Sequence, residues 1–254
     1  MNTNQHNHKL KAVYIALVLL LIALMAGFNM PQYEPQGFII NIQDHTEFHF
    51  INQYDVEKMI NDIRKKDSTV SRNEHFSLKD LEDRLRAMEF VREAEVSRDL
   101  KGNLIVDVLQ DKPVARIITE NGNSGYITQD KEIIPLSDHY TSRVLVVTGD
   151  GADSLFVQGF FETEKGKLLY EMIDFINNHP IWSLQISQID LNPQLEITLF
   201  PQIGKQQIEM GAPKKYKQKF KKLELFYKQI VPYKGWNTYD KIKLQYDNQI
   251  VCEK

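Results

Sequence analysis

The stretch Phe90–Arg116, FVREAEVSRDLKGNLIVDVLQDKPVAR, decides the fold. Its first part, Phe90–Arg98, alternates Ala94 and Val96 with charged residues, the period of a half-buried strand. Leu104–Leu109 is richer in β-branched residues, and Asp99–Asn103, with Gly102, makes the turn between the two strands. Two amphipathic helices precede this hairpin. Asn52 is a good N-cap for a helix over Gln53–Lys65, with Asp55 and Glu57 near the positive end of its dipole. Val56, Met59, Ile60 and Ile63 fall at i, i+3, i+4 and i+7, one buried stripe. Ser77 and Asp80 have capping-box spacing for a second helix through Glu89, with Leu78, Leu81, Leu85 and Met88 on one face. Phe38–Phe50 reads as a strand or strand pair, with Ile40, Ile42, Phe48 and Phe50 in period-two register. Each helix needs its stripe buried against the sheet, so the pieces are mutually dependent and compose one α+β unit over Phe38–Gln110.

Upstream, Ala12–Phe28, AVYIALVLLLIALMAGF, is an unbroken apolar run. As a helix it reaches roughly 26 Å, close to the ~30 Å hydrocarbon core of a bilayer. A cleavable signal peptide has a shorter apolar region and a small-x-small cleavage site, which Ala23–Asn29 does not offer. A retained anchor through the lipid bilayer is expected. Lys9 and Lys11 precede the run and no Lys or Arg follows until Lys58, so the N-terminus is expected in the cytoplasm and the bulk of the chain outside. The expected organisation is a tail over 1–11, a spanning helix over 12–29, a linker over 30–37 marked by Pro31, Pro35 and Gly37, a first domain over 38–112 and a second over 113–254.

Charged residues make up 26% and hydrophobic residues 42%, ordinary for a chain that buries a core. A net charge of −3 argues against a nucleic-acid binder. Cys252 is the single cysteine, so no internal disulfide closes and the fold relies on its core. His45, Glu47 and His49 share one face of the Phe38–Phe50 strand, a set able to ligate a divalent ion. With no fourth ligand nearby, the polar face of a half-exposed strand is the plainer reading, and no metal is expected.

After Pro113 the composition turns strand-rich. Ala115–Ile118, Gly125–Thr128, Glu132–Pro135 and Val144–Thr148 are short extended pieces, the last stopping at Gly149-Asp150-Gly151, read as a turn. Glu162–Asn177 reads as a helix with Leu168, Leu169, Met172, Ile173 and Ile176 inward. Leu184–Asp190, Gln194–Leu199 and Gln206–Met210 alternate like strands of an antiparallel meander. Pro213 is read as N1 of a helix over Lys214–Ile230, whose Tyr216, Phe220, Leu223, Tyr227 and Ile230 share a face. Its lysines are read as a solvated face, part of it near headgroups or an acidic partner. Tyr239–Tyr246 and Gln249–Cys252 close the chain as strands, Ile242, Leu244 and Tyr246 pointing one way.

Phe90-Val91 entering a strand, Val96, Asn103-Leu104 opening the next, and then Gln110-Asp111-Lys112-Pro113-Val114-Ala115-Arg116 resemble the POTRA domain of the FtsQ/DivIB cell-division family. Leu100-Lys101 stands where that family usually carries Trp-Pro, and Gln110 where it usually carries Glu. The closing segment resembles the family's final strand in Leu244 and Tyr246, with Lys243 and Gln245 in place of its Asp and Arg. The resemblance implies an α+β chain: a transmembrane helix, a POTRA domain (strand, two helices, two strands) and a second, mainly antiparallel β domain with flanking helices. It also implies a non-enzymatic divisome scaffold that binds FtsB- and FtsL-like coiled-coil membrane proteins by strand addition. Ile242, Lys243, Leu244, Gln245, Tyr246, Asn248, Ile250 and Tyr227 are then the expected partner surface, and Val114 a POTRA contact.

No G-x-S-x-G, Walker A, H-E-x-x-H or cysteine pair occurs. No catalytic residue and no cofactor are expected. A POTRA chaperone of the translocation class and a wall-acting enzyme stand as alternatives.

Overall fold

The computed structural model describes residues 37–43, 48–70 and 77–254. The expected tail, spanning helix and all of the linker but Gly37 lie outside the described residues, as do His45 and Glu47. Among the described residues no helix is long and apolar enough to cross a membrane. The chain separates into two compact units, residues 1–39 with 97–105 and residues 40–96 with 106–254.

In the first unit the turn before Leu104 is held by one carboxylate. Asp99 accepts from the backbone N–H of Lys101 at 2.9 Å and of Asn103 at 2.7 Å, and from Asn103 Nδ2 at 2.8 Å. The Asn103 side chain is the main reason its carboxyl sits below the ordinary aspartate value. Gly102, at φ 88°, occupies the left-handed position that such a turn leaves to glycine.

The strand, helix, helix, hairpin order is present: β1 (Phe38–Gln43), α1 (Gln53–Val70), α2 (Leu78–Arg86), β2 (Val91–Arg98) and β3 (Leu104–Gln110), with sheet order β1-β3-β2. Asn52 and Asp55 cap α1 reciprocally, Asp55 N–H donating to Asn52 Oδ1 at 3.1 Å and Asn52 N–H to Asp55 Oδ2 at 3.0 Å. Val56, Ile60 and Ile63 are buried, as their spacing predicts. Ser77 Oγ accepts from Asp80 N–H at 3.3 Å, and Leu81 and Leu85 are wholly buried. α2 stops at Arg86, short of the expected Glu89, because its end is tied to β2. Arg86 donates to the Ala94 carbonyl at 2.9 Å, and Glu82 accepts from Val96 N–H at 2.9 Å. Phe90, at φ 69°, then turns the chain.

Of the strand or strand pair expected over Phe38–Phe50, the described residues show β1, Phe38–Gln43, and no strand at Phe48–Phe50. Phe48 and Phe50 are buried for a different reason: their rings stack on each other at 6.4 Å, and Phe50 stacks on Phe90 at 4.9 Å. Their alternation records an aromatic cluster and not a ladder. Buried Gln110 locks the same backbone, its Oε1 accepting from Ile51 N–H at 2.9 Å.

The remaining strands are β4 (Pro113–Ile118), β5 (Ser124–Thr128), β6 (Ile133–Ile134), β7 (Leu145–Thr148), β8 (Ile186–Leu191), β9 (Ile197–Pro201), β10 (Gln207–Gly211), β11 (Lys241–Lys243) and β12 (Val251–Glu253). Among the described residues they form one nine-stranded sheet, ordered β12-β11-β10-β9-β8-β7-β4-β5-β6. The sheet is mixed. The meander β8, β9, β10 is antiparallel as expected, but β4 pairs β7, β7 pairs β8 and β10 pairs β11 in parallel. Two of these parallel joins need long crossovers. α3 (Glu164–Asn178) and α4 (Trp182–Gln185) supply the one from β7 to β8. α5 (Tyr216–Gln229) and α6 (Val231–Lys234) supply the one from β10 to β11. Ile117, Val147, Ile189, Leu199, Ile208 and Ile242 from the sheet share one core with Leu169, Met172, Ile173 and Ile176 of α3 and Phe220, Leu223 and Phe226 of α5.

Candidate functional site

The expected partner residues from Ile242 to Ile250 lie where the last crossover returns to the sheet. Chain leaves β10 at Gly211, whose φ of 63° is left-handed. Pro213 is not N1 of the following helix, because Lys215 at φ 56° is the N-cap and α5 starts only at Tyr216. Tyr216, Phe220, Leu223 and Phe226 are buried. Tyr227, half-buried, lies 5.4 Å from the exposed Trp236 ring and 6.2 Å from buried Trp182, and burial pushes its phenol above the ordinary value. Ile230 is 37% exposed, so the inward face ends before it.

β11 lies parallel to β10 in the register Gln207↔Lys241, Ile208↔Ile242, Glu209↔Lys243. On its other side β12 is antiparallel, with Lys241↔Glu253, Ile242↔Cys252 and Lys243↔Val251. β11 therefore has both edges occupied, and Ile242 is wholly buried. Ile242–Tyr246, expected as the strand offered to a partner, lies one strand inside the end of the sheet, which among the described residues is β12. Lys243 holds β12 from the side, its Nζ 2.6 Å from Glu253 Oε1 and 4.0 Å from Glu209 Oε2. That hydrogen bond raises the lysine's pKa and lowers that of Glu253.

Leu244 is also wholly buried, and its N–H donates to the Glu209 carbonyl at 2.9 Å. Gln245 and Asn248 are exposed, and Tyr246 is 43% exposed; Asn248 turns the chain at φ 57°. Ile250 and Cys252 are half-buried against the core, and burial raises the thiol's pKa. Val114 is not a surface contact. It is buried in the core of the large sheet, and its carbonyl accepts from Asn177 Nδ2 at 2.8 Å.

The lysines of α5 do not all face solvent. Lys219 Nζ donates to the Met210 and Ala212 carbonyls, each at 2.7 Å. Lys222 Nζ donates to the carbonyls of Leu244 at 2.8 Å, Tyr246 at 2.6 Å and Gln249 at 3.3 Å. Desolvation lowers the pKa of both. In the sequence they are two lysines in a run of seven, with no signal to single them out.

Elsewhere, His49 is exposed beside the Tyr140 ring, and no group of three or more His, Cys, Asp or Glu able to hold a metal occurs among the described residues. Gly149-Asp150-Gly151 opens a 3-10 turn, as its composition predicts. Glu120 carries a raised pKa, chiefly through its hydrogen bond to Asp150, both side chains being exposed.

A family model described as FtsQ/DivIB, C-terminal related, matches residues 112–253, more than half of the chain. The chain belongs to the FtsQ/DivIB family. A POTRA-like domain model matches residues 36–109 of this FtsQ/DivIB chain, the strand, helix, helix, hairpin segment. No curated protein matches it. FtsQ/DivIB proteins are non-enzymatic division proteins, and the two matched domains make a cell-division scaffold the functional class of the chain.

Proposed function

We propose that the chain performs no chemistry and links septum-assembly proteins by offering the outer edge of β12 to an extended segment of a partner. The observation that carries this reading is the short, laterally braced edge strand at the end of a nine-stranded sheet. An unpaired edge presents a row of backbone donors and acceptors, and side chains flanking it supply specificity. Tyr246, Asn248 and Ile250 lie in the segment that leads into this edge, and they are the side chains assigned to recognition; Tyr227, packed against Trp182 and Trp236, is not among them. The partners are FtsB- and FtsL-like coiled-coil membrane proteins. The apolar run Ala12–Phe28 anchors the chain in the cytoplasmic membrane with its N-terminus inside, holding both domains in the periplasm.

The test is capture of FtsB- and FtsL-like ectodomains by the full chain, by a chain ending at Gln249 and by Val251→Pro. Loss of capture in both variants, with the Tm of the remainder retained, is the expected result. Capture at the parental level by both variants removes the edge as the binding site. Anchor retention is checked separately, by N-terminal sequencing of the mature protein from membranes.

A further inference from the structure

β12 is only three residues long, held by the β11 ladder, by half-buried Cys252 and by the Lys243–Glu253 pair. The connector before it is exposed from Gln245 through Gln249, so little apolar packing holds it. What does hold it is one ammonium. Lys222 Nζ donates at the start, middle and end of the connector, to Leu244, Tyr246 and Gln249. An ammonium has three donors, and here three carbonyls from one loop converge on it. A point charge on a flexible stem suits this geometry, whereas a planar guanidinium fork does not. The lysine itself stands on a rigid platform, since its neighbour Leu223 is wholly buried and Phe220 is 1% exposed. Lys215 adds a second, peripheral tie to the same loop, 3.5 Å from Asp247.

We infer that Lys222 is the positioning residue that keeps β12 in register as a preformed recognition edge, without itself touching what binds there. The inference rests on the strand-addition reading above. An edge that is already ordered meets a partner strand with no ordering cost, whereas a frayed edge binds with an affinity reduced by the fraction of time it is formed. Lys219 makes the same kind of contact with the exit of β10, at Met210 and Ala212, and so serves as a comparator that holds a different strand.

Amide exchange of the full chain tests this. In Lys222→Met, exchange across Gln245–Glu253 rises by about tenfold or more, the change expected from losing hydrogen bonds to a charged group, while β8 keeps its protection. Lys219→Met leaves protection at Val251–Glu253 unchanged. Unchanged exchange of β12 in Lys222→Met overturns the assignment, and so does equal deprotection by Lys219→Met. Should Lys222→Met not yield folded protein, Lys222→Gln, with a neutral head, reads the same quantities. Binding of the FtsB-like ectodomain is measured on the same samples. Weaker binding by a deprotected β12 supports the assignment. Full binding by a deprotected β12 overturns strand addition at this edge, and with it the recognition role of Lys222.

Discussion

Phe50 and Phe90 lie face to face, their ring centroids 4.9 Å apart and their planes within 4°. Phe50 also meets Tyr126 and Tyr140 edge-on, at 5.5 and 5.2 Å. The four rings join the segment entering α1, the turn after α2 and the region around β5. Replacing Phe50 with Ala removes the ring common to all these contacts, and its 3% exposure leaves no solvent-facing alternative. A loss of about 3–5 kcal/mol is expected, measured by urea unfolding; a loss within experimental error refutes the cluster's role.

Gln110 is a second lock on the same backbone. Its side chain accepts from Ile51 N–H at 2.9 Å while only 2% exposed. Gln110→Ala strands that buried N–H, at a cost of about 1–3 kcal/mol. Gln110→Glu keeps the acceptor but loses the donor to the Phe48 carbonyl and buries a carboxylate, so it too is expected to lower stability in the same unfolding assay.

Gly166 inverts the usual rule for helices. Ala in place of Gly inside a helix ordinarily gains about 1 kcal/mol. Here the added methyl collides with the Phe160 carbonyl and the Phe161 backbone, because Gly166 packs directly against the preceding turn. Gly166→Ala is expected to cost about 1–3 kcal/mol, read as a fall in Tm; a rise in Tm contradicts the packing described.

The Lys243–Glu253 pair makes the β11–β12 hairpin sensitive to pH. Glu253 has a pKa lowered by its hydrogen bond to Lys243, so its stabilisation is present above the unfolded carboxyl value and is lost as pH falls through the folded one. Lys243 has a raised pKa, so its share is present below the unfolded lysine value and is lost as pH rises through the folded one. Amide chemical shifts of Val251–Glu253 are expected to show an acid limb that Glu253→Gln abolishes. An identical acid limb in the variant assigns the transition to another group.

Much of this architecture is legible in the sequence because it is written locally. The stripe Val56, Ile60, Ile63, the Ser77–Asp80 cap and the inward face of α3 each declare themselves within a few turns of helix. Strand adjacency is not local. Nothing in the alternation of Tyr239–Tyr246 says that β11 lies parallel to β10 or that β12 covers its far side. Phe48 and Phe50 mimic a strand period while packing as an aromatic cluster, and Pro213 mimics a helix start that Lys215 actually makes. Lys222 is the extreme case, since the partners that give it meaning are main-chain carbonyls more than twenty residues away.

The parallel placement of β11 on β10 makes the far side of the sheet dependent on the crossover through α5 and α6. Among the described residues β12 pairs with β11, and β11 reaches β10 only through that crossover. The surface assigned to recognition thus depends on every element of the last crossover. On the strand-addition reading, a chain clipped partway along α5 lacks β11 and β12, so the proposed recognition edge exists only where the whole of the last crossover is present.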